Sequence, residues 1–347
     1  MDIQHALQQW VDGESLSRDD MRAVMGQVMT GEATPAQIGA MLVALRLRGE
    51  TIDEIVGAAE AMRSLVTRVH VAQDHLIDLV GTGGDGANLF NVSTASTFVV
   101  AAAGGRVAKH GNRSVSSSSG SSDVLETLGV NLALAPEQIA RCIDEIGVGF
   151  MFAPAHHSAM KHAIGPRREL GMRTLFNLLG PMTNPAFVER QVLGLFSAEL
   201  GQAMAEALGK LGSKHALVVH SHDGLDEISI AAPTSVWELQ DGKVEKFVIS
   251  PADYDHQHDD LAALVVESSQ DSADLIRAAL GGEPGQAADK ARSMIALNAG
   301  AGIYVSGVTT SLRSGIELAD DLIATGQAME VMENFIAYTQ GLSAETP

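Results

Sequence analysis

Two polar segments of this 347-residue chain carry residue types that could hold a phosphorylated ligand. The first is Gly81-Thr-Gly-Gly-Asp-Gly86, which lies between a short apolar run and a segment typical of a helix. A strand, a glycine loop and a helix start in this order expose main-chain N–H groups at the positive end of a helix, which favours an anion. The second runs from Lys109 to Asp123 and adds a lysine, an asparagine, an arginine and many serines. Together the segments predict a site for a ligand with several phosphates and a sugar.

The spacing of the glycine loop matches the dinucleotide-binding fingerprint only superficially. That fold requires a carboxylate about 20 positions farther on to hold the ribose hydroxyls, and residues 101–110 contain none. The Gly-Lys-Ser/Thr ending of a P-loop is also missing from the sequence. Asp85 inside the loop suits a pyrophosphate only if a metal ion or main-chain amides neutralise its charge. For the loop taken alone, a tight turn that needs glycines is a competing interpretation.

A further set of polar side chains follows at Asn91-Val-Ser-Thr94, where the next helix is expected to begin. Asparagine, serine and threonine are good N-caps, so a plain cap explains this segment if it is taken alone. Beside the glycine loop, the same hydroxyls would face bound phosphates. Ser93 could also give a metal ion an oxygen ligand.

The segment Lys109-His-Gly-Asn-Arg113 follows a predicted strand and concentrates positive charge. Lysine offers a point charge and arginine a planar fork for phosphate, and the serines at 114–122 add small donors suited to a 5-phosphate. Ser121 stands just before Asp123, where a helix is expected to start. A solvated surface turn explains any one of these residues better than a binding loop does, but it explains the whole run poorly.

The adjacent acidic pair Asp226-Glu227 offers the hard oxygen ligands that Mg2+ prefers. Acidic pairs without further context are more often simply solvated. Here a predicted strand and an Asp223-Gly224 turn precede the pair, which places it near the end of a strand, where ligands gather in parallel sheets. This position favours a metal ligand over a surface charge.

The overall charge restricts the partners of the chain. With 23 basic and 43 acidic residues the net charge is −20, and a field of this sign repels nucleic acid. No lysine- or arginine-rich run offsets it. A polyphosphate would be repelled as well, so its site must gain local positive charge from Lys109, Arg113, Arg167 and a metal ion.

The cellular compartment is indicated by three features of the sequence. No run of about 18 apolar residues is present, which predicts no membrane span, and the polar start Met1–His5 does not resemble a signal peptide. The single cysteine, Cys142, cannot form a disulfide within the chain, and its helical pattern predicts a buried structural thiol rather than a catalytic one. We therefore expect a cytoplasmic protein without nucleic-acid or membrane partners.

The elements that must position these residues fall into two parts. Residues 1–72 predict a small all-helical domain with N-caps at Ser17, Thr34 and Thr51, and helices from about 166–190 are expected to complete it. Residues 73–347 alternate strand and helix patterns. This alternation predicts a large α/β domain with a mainly parallel central sheet covered by helices.

The pattern also locates individual elements of the α/β domain. Strands are expected at 76–80, 106–109, 130–134, 148–152, 191–196 and 215–221. Helices are expected near 91–103, 122–128, 136–146, 198–211 and 310–340. A hairpin is expected around Asp241-Gly242. Both polar segments follow predicted strands, at the edge of the sheet where ligands gather.

Three motifs together resemble a known family. Gly-Thr-Gly-Gly-Asp, Asn-Val-Ser-Thr and Lys-His-Gly-Asn-Arg-Ser-Val-Ser-Ser, in this order and spacing, resemble the anthranilate phosphoribosyltransferases of tryptophan biosynthesis, within the nucleoside phosphorylase and phosphoribosyltransferase superfamily. The resemblance covers nearly the whole chain and includes Arg167–Leu170, Thr174–Pro181 and Asp223–Glu227. It implies a glycosyltransferase that moves phosphoribose from phosphoribosyl pyrophosphate to the amine of anthranilate, releases pyrophosphate and uses Mg2+. It also implies a homodimer formed through the helical domain.

The resemblance further implies roles for individual residues. The phosphoribosyl donor would be held by Gly81, Gly84, Asp85, Asn91, Val92, Ser93, Thr94, Lys109, His110, Gly111, Asn112, Arg113, Ser114, Val115, Ser116, Ser117 and Ser121. Anthranilate would be bound by Gly81, Asn112 and Arg167, of which Arg167 would pair with its carboxylate. Two magnesium ions would be held by Ser93, Asp226 and Glu227. Lys109 and the metal ligands would stabilise the departing pyrophosphate.

Several points stay open at this stage. The family usually has a hydroxyl residue where this chain has Leu89, so that side chain is not assigned to donor binding. His110 or His157 could relay a proton, although histidines in polar loops are commonly only hydrogen-bonded. A nucleic-acid-binding relative of the same fold and a nucleoside phosphorylase remain the alternative functions. The net charge opposes the first, and the His-Gly-Asn-Arg-Ser pattern opposes the second.

Overall fold

The computed structural model describes residues 1–113 and 119–344. The chain begins with four helices, α1 (Ile3–Val11), α2 (Arg18–Thr30), α3 (Pro35–Arg48) and α4 (Ile52–Ser64). The N-caps predicted at Ser17, Thr34 and Thr51 are confirmed, because each side chain accepts the N–H of the third residue of its helix. These local bonds fix where α2, α3 and α4 begin.

One buried carboxylate joins the ends of these helices. Glu54 is fully buried and accepts the Trp10 indole N–H at 2.8 Å and the Leu16 N–H at 3.1 Å. Its other oxygen accepts the Thr51 N–H at 2.9 Å and pairs with Arg48. Burial alone would raise the pKa of Glu54, but these donors outweigh it and hold the pKa below its usual value.

A seven-stranded sheet forms the centre of the α/β part within the described residues. Its strands are β1 (Leu76–Gly81), β2 (Arg106–Gly111), β3 (Val148–Phe152), β4 (Arg190–Gly194), β5 (His215–Ser221), β6 (Thr234–Gln240) and β7 (Lys243–Ile249). The order across the sheet is β3-β2-β1-β4-β5-β6-β7, parallel as far as β5 and antiparallel for the last two strands. The strand order reverses between β1 and β4, and the crevice outside their carboxyl ends is the favoured place for a ligand.

Helices cover both faces of this sheet. They are α5 (Val92–Ala102), α6 (Ser121–Leu128), α7 (Pro136–Ile146), α8 (Ala153–His156), α9 (Lys161–Leu170), α10 (Leu175–Met182), α11 (Gly201–Lys210), α12 (Ser269–Leu280), α13 (Gln286–Ser306), α14 (Leu312–Ala324) and α15 (Gln327–Ala344). Neighbouring strand residues serve opposite faces: Val192 and Leu217 pack with α5 and α13, whereas Leu193 and Val218 pack with α11 and the N-terminal helices. The predicted α/β architecture with a mainly parallel sheet is confirmed.

Smaller expectations are confirmed as well. Asp241 and Gly242 form the turn of the β6–β7 hairpin with φ of +50° and +76°. Cys142 lies buried in α7, and burial raises the pKa of its thiol to about 12. Within the described residues, no helix combines the length and apolar character that crossing a membrane requires.

Some element predictions were wrong or incomplete. Residues 130–134 form no strand, because the Asn131 N–H donates to the Thr339 hydroxyl of α15 at 3.2 Å instead of to a neighbouring strand. The helix predicted at 310–340 is two helices, since Gly326 between them has a φ of +76°. The helices α12 and α13 were not predicted. Almost every residue along most of α13 is buried, so its sequence lacks the one-sided apolar stripe that reveals a surface helix.

Candidate active site

The glycine loop follows β1 at the point where the strand order reverses. Gly83, Gly84 and Gly86 have φ of +65°, +77° and +80°, a backbone region that other residues rarely adopt. The Thr82 N–H donates to the Gly194 carbonyl at 2.9 Å, which ties the start of the loop to the end of β4. The three glycines themselves remain exposed.

The acid pair, Asp226 and Glu227, lies against this loop through Asp226. The Gly83 N–H donates to Asp226 Oδ2 at 2.6 Å. A Cβ atom on Gly81 would overlap that carboxylate, and one on Gly194 would overlap the Asp226 carbonyl. The lack of side chains at the ends of β1 and β4 therefore lets Asp226 lie against the loop. Sequence analysis missed Gly194, whose only signal is its position in a predicted strand.

The end of the loop is anchored by packing. The Val266 N–H donates to the Asn88 carbonyl at 2.9 Å, and Leu89 forms a bridge with Val265. Leu89 is half-buried and packs against the main hydrophobic core. The departure from the family pattern at Leu89 thus has a structural role in holding the loop.

Asn91 connects neighbouring segments and does not cap α5. Its side-chain oxygen accepts the Ser119 hydroxyl at 2.7 Å and the Ser272 hydroxyl at 2.8 Å, and the side chain makes no cap bond. A plain cap is therefore the wrong explanation for this residue. The Thr94 hydroxyl in the first turn of α5 is buried and has no hydrogen-bond partner among the described residues.

Lys109 is buried near the end of β2. Its Nζ donates to the Leu79 carbonyl at 2.6 Å and to Ser93 Oγ at 3.1 Å. Burial lowers the pKa of Lys109, and the carboxylates of Asp78 and Glu227 oppose that shift. Within the described ranges, one of the three ammonium N–H groups is left for a ligand.

A further buried carboxylate near Lys109 was missed by the sequence analysis. Asp78 accepts the side-chain amide of Asn184 at 2.7 Å and the His110 N–H at 3.3 Å. Burial raises the pKa of Asp78 to about 6, with Lys109 acting in the opposite direction. The available signal was an acidic residue inside an apolar strand, because such residues are rarely buried without a partner.

The acid pair is crowded by negative charge. Burial and Asp85 raise the pKa of Asp226, whereas burial and Asp226 raise the pKa of Glu227 against the influence of Lys109. A divalent cation would relieve this repulsion. No group of three or more His, Cys, Asp or Glu side chains in residues 1–113 and 119–344 is arranged to hold a metal by itself. A cation at the acid pair therefore needs further oxygens from a hydroxyl, a ligand or water.

A cavity adjoins Ser93 and Glu227 at this edge of the sheet. Its other walls are Leu79, Val80, Val192, Gly194 and Asn298. Ser93 lies in the first turn of α5, where the helix dipole favours an anion. The cavity therefore places the positive end of a helix beside Glu227.

Two histidines lie side by side close to the end of β2. The ring centres of His110 and His157 are 5.1 Å apart, both rings are buried, and neither Nε2 has a hydrogen-bond partner in the described part of the chain. Burial lowers the pKa of both rings, that of His157 to about 4, so both are neutral at pH 7. A proton relay through either ring stays a prediction.

The residues directly after β2 form hydrogen bonds and ion pairs with residues close to them in the sequence. Asn112 Oδ1 accepts the Arg113 N–H at 2.8 Å, and the Arg113 guanidinium pairs with Asp123 at 3.1 Å and Glu126 at 2.7 Å. The hydroxyl of Ser121, which begins α6, lies 3.5 Å from the Asn112 carbonyl. Four predicted donor-binding residues lie outside the described ranges: Ser114, Val115, Ser116 and Ser117.

Three arginines lie in the α9–α10 region. Arg167 is half-buried, with its guanidinium 5.0 Å from the centre of the Phe176 ring, whereas Arg168 is exposed. Burial lowers the pKa of Arg167, and no described carboxylate forms an ion pair with it. Arg173, which sequence analysis missed, donates to the Gly84 carbonyl. Arg173 therefore brings a cation to the glycine loop.

Comparison with known proteins identifies the relatives of this chain. The model of the glycosyl transferase family a/b domain matches residues 73–329, and that of the glycosyl transferase family helical bundle domain matches residues 4–66. The anthranilate phosphoribosyltransferase of Cellvibrio japonicus is 61% identical over 342 residues, which cover 99% of this chain and 100% of that protein. The chain belongs to the anthranilate phosphoribosyltransferase family. The corresponding protein of Teredinibacter turnerae is 58% identical and covers 98% of this chain and 99% of its own.

Solved anthranilate phosphoribosyltransferases share the fold. The structure from Thermus thermophilus has a TM-score of 0.90 and 42% identity, covering 96% of this chain and 99% of that one. The structure from Saccharomyces cerevisiae in complex with PRPP and Mg has a TM-score of 0.89 and 26% identity, covering 98% of each chain. Family membership makes this chain an enzyme, a glycosyltransferase of tryptophan biosynthesis, and decides against both alternative functions.

Proposed function

We propose that the glycine loop, Lys109 and the acid pair form one site, which holds phosphoribosyl pyrophosphate and Mg2+ while the amine of anthranilate displaces pyrophosphate. One observation carries the proposal: the Gly83 N–H donates to Asp226 Oδ2 at 2.6 Å. This contact joins the predicted anion loop to the predicted metal ligands across 143 positions of sequence. A substrate that carries pyrophosphate needs both parts, because its charge is balanced by main-chain N–H groups and by cations.

The proposed donor site draws on three segments of the chain. Main-chain N–H groups, hydroxyls and one ammonium supply donors for a phosphorylated sugar. The residues are Gly81, Gly84, Asp85, Asn91, Val92, Ser93, Thr94, Lys109, His110, Gly111, Asn112, Arg113, Ser114, Val115, Ser116, Ser117 and Ser121. The yeast relative solved with PRPP and Mg supports this class of ligand.

The residues of the acid pair fit Mg2+ by their chemistry. Asp226, Glu227 and the Ser93 hydroxyl offer hard oxygen ligands, and the raised pKa values of both carboxyls are lowered by added positive charge. We infer that these three residues, together with oxygens of the donor, hold two ions per subunit. When bound, Mg2+ neutralises charge on the pyrophosphate that departs.

Lys109 is the buried cation that the chain itself contributes to the reaction. The bond between the anomeric carbon of ribose and a pyrophosphate oxygen breaks, and a bond from that carbon to the anthranilate nitrogen forms. Two N–H groups of Lys109 are held by Leu79 and Ser93, which leaves the third for a ligand. An ammonium that meets growing negative charge on the leaving oxygen stabilises the transition state more than the ground state.

Anthranilate is proposed to bind at Gly81, Asn112 and Arg167. Arg167 is half-buried and has no carboxylate partner among the described residues, so its guanidinium can pair with the carboxylate of anthranilate. Holding the amine in position behind the ribose ring supplies much of the rate enhancement. The amine is already neutral, so its attack requires no strong general base.

The organisation of the chain is part of the proposal. We propose a helical domain of residues 1–72, completed by helices from about 166–190, and an α/β domain of residues 73–347. Contacts of α9 with α2 and α3, and of α10 with α3 and α4, support this division. We also propose a homodimer through the helical domain, on whose surface the apolar side chains of Val11 and Leu47 are 76% and 83% exposed. The free thiol of Cys142 supports a cytoplasmic location.

The proposal is tested by following the loss of anthranilate fluorescence with phosphoribosyl pyrophosphate, with and without Mg2+. We expect the loss only when donor and metal are both present, and none with the combined Asp226→Asn and Glu227→Gln variant. A matched control replaces the adjacent acids of α14, Asp320 and Asp321, by asparagine and should keep full activity. Unchanged Mg2+-dependent turnover in the Asp226 and Glu227 variant would refute their metal role.

A further inference from the structure

The carboxylates of Asp226 and Glu227 lie on an irregular segment between β5 and β6, and one buried side chain holds that segment. Asn298 of α13 is 2% exposed. Its Oδ1 accepts the Ile228 N–H at 2.9 Å, and its Nδ2 donates to the Ile228 carbonyl at 2.9 Å. Both main-chain polar groups of the residue directly after Glu227 are therefore fixed by the same side chain.

The chemistry of the contact selects an amide at position 298. An amide presents one acceptor and one donor side by side, which matches the N–H and C=O of a single residue. An aspartate would offer acceptors only, and a leucine would offer neither. Without the Asn298 amide, the buried N–H and C=O of Ile228 would need new partners, and the segment would shift to find them.

The helix that carries Asn298 is itself fixed by close packing. A Cβ atom on Gly300 would come within 2.5 Å of Ile316 Cα in α14, and one on Gly302 would come within 2.9 Å of Leu79. Leu79 belongs to β1, which leads into the glycine loop, and its carbonyl accepts Lys109 Nζ. The helix α13 therefore relates the acidic segment to the strand and the lysine on the other side of the site.

We propose that Asn298 is a positioning residue that sets where the carboxylates of Asp226 and Glu227 point. It lines the cavity beside Glu227, but its hydrogen bonds go to main-chain groups. Its effect is on the affinity of the acid pair for a divalent cation, and the binding of anthranilate is untouched. The inference rests on the proposed metal role of the acid pair.

The test measures metal binding directly, with Mn2+ in the presence of inorganic pyrophosphate, because electron paramagnetic resonance counts free Mn2+. The parent protein, Asn298→Ala and the combined Asp226→Asn and Glu227→Gln variant are titrated in parallel. We expect Asn298→Ala to weaken Mn2+ binding about 10- to 100-fold, the usual effect of losing a group that orients a metal ligand. Its KM for anthranilate, measured at saturating metal, should stay at the parent value.

A matched control is Asn131→Ala, which removes another amide that accepts a main-chain N–H, here that of Ala133. This control should bind Mn2+ like the parent. Parent-like Mn2+ binding in Asn298→Ala overturns the positioning role, and the proposed function still stands if the acid-pair variant has lost binding. An equal rise in the KM for anthranilate also overturns it, because such a change reports general loosening of the site.

Two further outcomes complete the test. Parent-like Mn2+ binding in the acid-pair variant overturns the proposed metal role, and the inference about Asn298 falls with it. If Asn298→Ala is not recovered folded, Asn298→Gln is titrated instead, since it keeps the amide one methylene farther from α13. A smaller loss of Mn2+ affinity in this variant supports the positioning role, and parent-like binding overturns it.

Discussion

Glu54 in the helical N-terminal part is fully buried and Glu227 at the candidate active site is half-buried, and the fold gives these two carboxylates different partners. Glu54 receives main-chain and indole N–H groups and an arginine, which together hold its pKa below the usual value. Glu227 lies beside another carboxylate, and burial and that neighbour raise its pKa. The two side chains are chemically identical, so the difference comes entirely from the partners that the fold provides.

This difference separates a group that holds the structure from a group that is available to a ligand. A buried charge that the protein itself satisfies is strongly destabilising to disturb. A charge that the protein leaves uncompensated is a candidate for function. The arginines show the same contrast: Arg63 donates to the carbonyls of Met182 and Leu211 at 2.7 and 3.0 Å, whereas no described residue forms an ion pair with Arg167.

The largest expected effect is that of Glu227→Gln on turnover. We expect Mg2+-dependent turnover to fall about 10³-fold or more, because metal-assisted stabilisation of a leaving group is worth several kcal/mol. The free energy of unfolding should stay the same or rise, because the variant lacks a carboxyl that keeps its proton in the folded protein and releases it on unfolding. The fluorescence assay and urea unfolding measure the two quantities. A loss of stability with intact turnover would show that Glu227 holds the structure and does not serve the reaction.

Glu54→Gln should show the opposite pattern. We expect the free energy of unfolding to fall by about 3–5 kcal/mol, because the change leaves Arg48 without its buried partner. Turnover per folded molecule should be unchanged. Urea unfolding followed by circular dichroism gives the first quantity. A variant that folds like the parent but turns over slowly would abolish the distinction between Glu54 and Glu227.

Arg167→Ala extends the comparison to cations. We expect the KM for anthranilate to rise about 10- to 100-fold, because a charge-assisted hydrogen bond contributes about 1.5–3 kcal/mol. The KM for the phosphoribosyl donor should hardly change. Arg168→Ala, the exposed neighbour, is the matched control and should behave like the parent. Equal increases in both KM values would count against pairing with the anthranilate carboxylate.

The last expected effect is the pH dependence of stability without metal. The pKa of Glu227 is raised from 4.5 to about 8, so the folded protein keeps a proton that the unfolded chain releases. Its contribution to stability is present below pH 4.5 and is lost as the pH rises through about 8. Glu54 acts in the opposite sense: its contribution is present above pH 4.5 and is lost as the pH falls through its lowered pKa.

Urea unfolding at a series of pH values measures how the free energy of unfolding of each protein depends on pH. As the pH rises through neutrality, the parent should lose more stability than Glu227→Gln does. Towards acid, the parent should lose stability that Glu54→Gln already lacks. Parallel curves for the parent and the Glu227 variant would show that this carboxyl has an ordinary pKa in the folded protein.

The sequence predicted those parts of the molecule that short-range patterns encode. The caps at Ser17, Thr34 and Thr51 depend on bonds across three residues, and the glycine loop depends on consecutive backbone conformations. The acid pair was found because its two members are adjacent. The hydrogen bond that holds Asp226 against the glycine loop was not predicted, because Gly83 and Asp226 are 143 positions apart in the sequence.

The same reason explains the residues that sequence analysis missed. Asp78 meets Asn184 across 106 positions, and Asn298 meets Ile228 across 70, so neither pair leaves a local pattern. Residues 130–134 gave a misleading pattern, because a segment that packs against helices also buries its apolar side chains. Such segments resemble strands until their hydrogen-bond partners are known.

The position of Cys142 has a practical consequence for watching the enzyme at work. It is the only cysteine of the chain, it lies buried in α7, and its thiol has a pKa of about 12. Reagents that modify thiolates at neutral pH should therefore leave Cys142 unmodified. One new cysteine on an exposed residue, such as Glu245 of β7, would take a fluorescent label alone. Changes in shape during turnover could then be followed without first removing the native thiol.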